Sequence, residues 1–76
     1  MPRYNMDARL AILGRSRGYT YARVVDELQK RGIKTSPEEI SNMKNGRRTG
    51  PKSDLVLAEA DKIISKWEEE RNGEAV

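Results

Sequence analysis

Apolar residues in this chain recur every three or four positions, and no segment alternates apolar with polar. That spacing lines them up along one side of an α-helix, whereas a half-buried strand would need a period of two. Gly and Pro cut the pattern into four stretches. A chain of 76 residues has little surface to bury, so such stripes must pack against one another. The expected fold is all-α, a compact bundle of four helices, five at most, forming one domain over residues 1–76. Phe is absent and Trp occurs once, so the core must come from Leu, Ile, Val, Met and Ala.

The first helix is expected over 5–16, with Met6, Leu10 and Leu13 as its stripe, Asn5 as N-cap and Gly18 closing it. Arg15 and Arg17 suit the negative end of its dipole. The second is expected over 20–31, capped by Thr20 and lined by Tyr21, Val24, Val25 and Leu28. Gly32 follows as the residue past its end, with Ile33 as the apolar contact beyond it. The third spans 36–45. Ser36 caps it, Pro37 takes the first helical position and Glu39 completes a capping box. Gly46 ends it, and RRTGPK forms a loop. The fourth is expected over 53–71, capped by Ser53, with Val56, Ala60, Ile63 and Trp67 as its stripe and Leu55 and Ile64 alongside. Residues 72–76 read as a short frayed end.

Composition removes several classes of function. The chain has no Cys and no His, hence no disulfide, no thiolate metal site and no histidine base. No phosphate-binding glycine motif is present, and neighbouring carboxylates such as Glu38 and Glu39 point to different helix faces. The reading is a non-enzymatic protein with no cofactor, no metal and no small-molecule ligand. The longest apolar runs are far too short to cross a membrane, and MPRYNMDARL lacks a signal-peptide core. A cytoplasmic location is expected.

The charge is unevenly placed. Residues 1–52 carry 12 Lys/Arg against 5 Asp/Glu, or +7; residues 53–76 carry 3 against 7, or −4. A basic body facing a polyanion, with an acidic last segment, fits that asymmetry. Gly18-Tyr19-Thr20, Val24, Leu28, Ile40-Ser41 and Asn45-Gly46-Arg47-Arg48 then form a pattern. It resembles the λ-repressor-like (Cro/C1-type) helix-turn-helix DNA-binding domain of phage and bacterial regulators, over roughly residues 6–67. Two features depart from that family's pattern. The turn Gly32–Ser36 is two residues longer, and Tyr21 and Pro37 stand where the family often has Gln.

The resemblance implies a sequence-specific DNA-binding transcriptional regulator, phage or prophage encoded, with helix 36–45 in the major groove. Ile40 and Met43 should face the core, leaving Glu38, Ser41, Asn42 and Asn45 as base-contacting candidates. Asn pairs with adenine, Glu accepts from cytosine, and Ser suits either. Glu38 either reads cytosine or argues against DNA. The phosphate-contacting candidates are Arg17, Arg23, Lys34, Lys44, Arg47, Arg48 and Lys52, with the helix-start N–H groups of Thr20 and Tyr21.

Trp67 lies past the end of a minimal core. It either completes that core or, with Ile64, forms a homodimer interface. A second function fits the same scaffold, a modulator or antirepressor that contacts a repressor protein and binds DNA weakly or not at all. Single-stranded RNA is a weaker third reading, because the four aromatic residues do not form a stacking platform.

Overall fold

The computed structural model describes residues 5–74, with side chains as far as Arg71. Four helices follow one another: α1 (Met6–Leu13), α2 (Tyr21–Lys30), α3 (Pro37–Lys44) and α4 (Pro51–Glu74). One 3-10 turn, Arg15–Arg17, lies between α1 and α2. No strand occurs among the described residues, so the fold is all-α.

Local chemistry explains most of the boundaries. The Thr20 hydroxyl accepts from the Arg23 N–H at 3.4 Å, and the Ser36 hydroxyl accepts from the Glu39 N–H at 3.1 Å. Pro37 occupies the start of α3, where its missing N–H would have had no helical partner. Both α2 and α3 stop in the same way. Gly32 and Gly46 turn to φ 82° and 79°, which side chains rarely tolerate. The next N–H then reaches back five residues, Ile33 to the Leu28 carbonyl at 2.9 Å and Arg47 to the Asn42 carbonyl at 2.8 Å.

Four expectations need correction. Helix α1 ends at Leu13, because Gly14 leaves helical geometry at φ 111° with its N–H on the Leu10 carbonyl. Gly18 therefore closes the 3-10 turn and not α1. Asn5 is left-handed at φ 53° and makes no capping bond. Ser53 is no cap either. The helix begins two residues earlier at Pro51, whose fixed φ suits a first turn, and Ser53 is buried within that turn. Residues 72–74 continue α4, while 75–76 lie outside the described residues.

The four stripes meet in one core. Helix α1 supplies Met6, Leu10 and Leu13; α2 supplies Val24 and Leu28; α3 supplies Ile40 and Met43. Helix α4 supplies Val56, Leu57, Ala60, Ile63, Ile64 and Trp67, and touches every other helix. Leu57, not Leu55, is the inward residue of its first turns; Leu55 is exposed.

Charges join the outer edges of the same helices. The Arg9 guanidinium on α1 donates to Glu68 at 2.6 and 3.0 Å, to Ser65 at 2.8 Å and to Asp61, all on α4. Arg71 of α4 donates to the Ile12 carbonyl at 2.9 Å and to that of Leu13. Those carbonyls end α1 and have no partner within it. Arg31, just past α2, pairs with Glu59 of α4 at 2.7 Å. Since Arg9 is only 18% exposed in its side chain, it should matter more than an ordinary surface pair. Arg9→Met should lower stability by about 1–2 kcal/mol in urea denaturation without changing helix content, as judged by circular dichroism.

Candidate nucleic-acid interface

Helix α3 is short, and its two apolar residues determine how it lies. Ile40 is fully buried and Met43 is 4% exposed, both packed into the core. The other side of the helix must therefore face outward. There Glu38 and Asn45 are exposed, and Ser41 and Asn42 are half-buried. Their backbone groups are bonded, for the Asn42 carbonyl accepts from both Arg47 and Arg48 and the Ser41 carbonyl accepts from Asn45. Among the described residues, no hydrogen bond or ion pair engages their four side chains. The ridge is thus fixed in its main chain and free at its tips.

Glu39 is separated from that ridge. Its N–H goes to Ser36, and its carboxylate accepts from the Thr35 hydroxyl at 3.3 Å and lies 3.9 Å from Arg48. The reciprocal half of the capping box, Glu39 to the Ser36 N–H, is replaced by these contacts.

The cations fall into two groups. Arg17, Lys34, Arg47 and Lys52 are exposed and have no ion pair among the described residues. Arg48 is 58% exposed and only loosely held by Glu39. Of the other expected phosphate contacts, Lys44 and Thr20 are engaged inside the molecule, whereas the Tyr21 N–H and the Arg23 guanidinium donors have no hydrogen-bond acceptor among the described residues. Lys44 is 16% exposed; its ammonium pairs with Asp7 of α1 and stands 5.8 Å above the Tyr21 ring. The Tyr21 hydroxyl donates to the same carboxylate. Thr20 donates its N–H to the Gly18 carbonyl at 3.0 Å and uses its hydroxyl as a cap, so neither group is open to a phosphate. The Tyr21 N–H has no acceptor among the described residues. Arg23 lies over the rings of Tyr19 and Trp67, 5.1 Å from each centroid.

A groove of about 270 Å³ separates the end of α3 from the start of α4. Met43 and Leu57 are its apolar lining, and Asn45, Arg48, Thr49, Ser53 and Asp54 are among its polar residues. Ile64 and Trp67, expected as dimer-interface candidates, are 0% and 5% exposed. They are inside the monomer, which leaves a second copy nothing of them to grip. Trp67 packs on Tyr19, ring centroids 5.4 Å apart. In the sequence Tyr19 is one residue of the Gly18-Tyr19-Thr20 motif and Asp7 an acid of a helix's first turn; the partners Trp67 and Lys44 are distant along the chain, and no spacing rule connects them.

No group of three or more acidic, His or Cys residues suited to a metal occurs among the described residues. No helix there is long and apolar enough to cross a membrane. No family model, curated protein or solved structure matches the chain.

The Asp7 cluster joins α1, α2 and α3, and it has a pH signature. The Lys44 ammonium, and then the Tyr21 hydroxyl, hold the Asp7 carboxyl below its ordinary value. Burial and the neighbouring Asp7 raise the Tyr21 hydroxyl above its own. A depressed carboxyl stabilises the fold above its unfolded pKa and loses that contribution as pH falls through the folded one. Asp7→Asn should therefore be less stable than the parent at neutral pH. The gap in urea midpoint should close as pH falls below the ordinary carboxylate range, and a gap independent of pH would refute the assignment.

Proposed function

We propose that the chain is a sequence-specific duplex-DNA-binding regulator of the Cro/repressor type, with α3 lying in the major groove. One observation carries this reading. Helix α3 turns an unpartnered polar ridge outward, and nearby in the chain are exposed cations that, apart from Arg48 near Glu39, have no ion pair among the described residues. Asn42 and Asn45 carry the paired donor and acceptor that suit the edge of adenine, and Ser41 accommodates either base pair. Glu38 has only acceptors and suits the amino group of cytosine. Lys34 precedes the ridge in the chain and Arg47, Arg48 and Lys52 follow it, where backbone phosphates would lie on either side of a helix seated in the groove. Arg17 extends the basic surface toward α2.

The acidic last helix is compatible with that arrangement. Glu59, Asp61 and Glu68 are bound to Arg31 and Arg9. Part of the negative charge of α4 therefore neutralises arginines of the scaffold.

Glu38 favours a second reading, in which the same ridge meets a protein. An exposed carboxylate at the head of the helix suits a basic patch on a repressor as well as it suits cytosine. Gel shifts separate the two. Binding to random duplex at low salt, lost steeply as salt rises, supports the DNA reading; no shift at micromolar protein refutes it. The double variant Arg47→Ala, Arg48→Ala should weaken binding to every duplex and reduce the slope of log K against log salt by about 2. Asn42→Ala should instead leave that slope alone and lower discrimination at one base position by about 1–3 kcal/mol.

A further inference from the structure

We propose that Arg23 is a phosphodiester anchor held ready by an aromatic shelf, and that Tyr19 and Trp67 are positioning residues for it. This rests on the duplex-binding reading above. The Arg23 guanidinium carbon is 5.1 Å from the centroid of the Tyr19 ring and 5.1 Å from that of Trp67. The two rings lie 5.4 Å apart at 57° to each other and form an angled seat. The contact is an attraction between the cation and the two rings and takes none of the guanidinium's N–H groups as donors to an oxygen. Those N–H donors lie in the plane, around the edge, and stay available. Among the described residues no hydrogen bond or ion pair takes them, and Arg23 is exposed. In this they differ from Arg9, Arg31 and Arg71, each of which donates to a neighbouring segment.

An oriented guanidinium with empty donors matches two oxygens of one phosphate. Because the rings already restrict the side chain, less freedom is lost on binding than for a loose surface arginine. A lysine would keep the charge and lose the planar fork. The location is suitable too. Arg23 is in the first turn of α2, close along the chain to the unpaired N–H of Tyr21. Beneath Lys44, the Tyr21 ring joins this turn to the last residue of α3. The shelf therefore stands beside the junction between α2 and the proposed recognition helix. Trp67 comes from α4, so this helix, which also carries Lys52, takes a second part in the proposed DNA-facing surface through the arginine that Trp67 positions.

The single Trp makes this testable without a label on the protein. Trp67 emission should change on titration with a short duplex, with the same midpoint as the anisotropy of that duplex labelled. Arg23→Gln should lower affinity about five- to tenfold and reduce the log–log salt slope by about 1. Arg23→Lys should restore the slope and only part of the affinity. Tyr19→Leu should keep the slope and lower affinity about two- to threefold. Thermal melts confirm that each variant is folded; if Arg23→Gln is not, unchanged affinity in Arg23→Lys overturns the proposal. An unchanged slope in Arg23→Gln, or a silent Trp67 while duplex binds, overturns the shelf and leaves duplex binding intact. No duplex binding by the parent overturns both. Emission that responds to inorganic phosphate but not to duplex assigns the shelf to a free anion and overturns the DNA contact.

Discussion

Every other part of this molecule depends on the buried side of α4. Six of the thirteen core side chains come from that helix, and it is the one element in contact with all the others. The reason is compositional. With no Phe and a single Trp, and with Tyr19 and Tyr21 only partly buried at the edge of the core, most of the apolar surface must be supplied along a length by Leu, Ile, Val, Met and Ala. A helix of 24 residues does this, and three short helices of 8, 10 and 8 residues can each rest on it. Isolated helices that short are marginal in water, so their existence depends on that contact. The position of α3, and with it any function of α3, is inherited from Ile40 and Met43 meeting this wall.

Polar interactions then decide how the helices are held about it. Apolar burial has no preferred direction, and a stripe of Leu and Ile on α1 could slide along α4 at small cost. The Arg9 contacts with Asp61, Ser65 and Glu68 remove that freedom, as does Arg71 on the carbonyl end of α1. At the opposite side, Lys44 and Tyr21 converge on Asp7 and fix the end of α3 against the starts of α1 and α2. The charge asymmetry of the sequence thus has two components. Part of it is a scaffold in which acids of the last helix hold arginines of the others. The remainder includes Lys34, Arg47 and Lys52, which have no ion pair among the described residues.

What could be read in the sequence was what is local. Helical spacing identified four elements, and Thr20, Ser36, Gly32 and Gly46 marked their ends because capping involves residues within one turn. Asn5 and Ser53 misled for the same reason. Each is a good cap in isolation, but the backbone of Asn5 turned left-handed, and Pro51 started α4 before Ser53 could act. Contacts across the fold were not legible. Arg9 and Glu68 are separated by 59 positions and Lys44 and Asp7 by 37, and charge alone does not say which Lys meets which Asp. Of the nine expected phosphate contacts, Lys44 is taken by the distant Asp7 and Arg48 lies near Glu39, while Thr20 uses its N–H and hydroxyl within its own turn.

That sorting sharpens the candidate surface. A cation already paired with a carboxylate must lose that partner before it can hold a phosphate, and the exchange returns little free energy. Lys44 is in that position. Arg17, Lys34, Arg47 and Lys52 are not, and each can release counterions from a duplex at no internal cost. Arg23 is intermediate in location but not in kind, since an aromatic face competes with a phosphate for none of its donors. Glu38 is the one group on the ridge that a duplex would repel wherever it met a phosphate. On the proposed reading, its place at the head of α3, opposite Ile40 and Met43, would direct it toward the groove floor and away from the phosphate walls. The residue that most obstructs loose electrostatic attachment is then the one whose obstruction is relieved at a site offering a cytosine amino group. If α3 reads duplex as proposed, a carboxylate in that position would lower affinity for duplex in general and raise the contrast between right and wrong sequence.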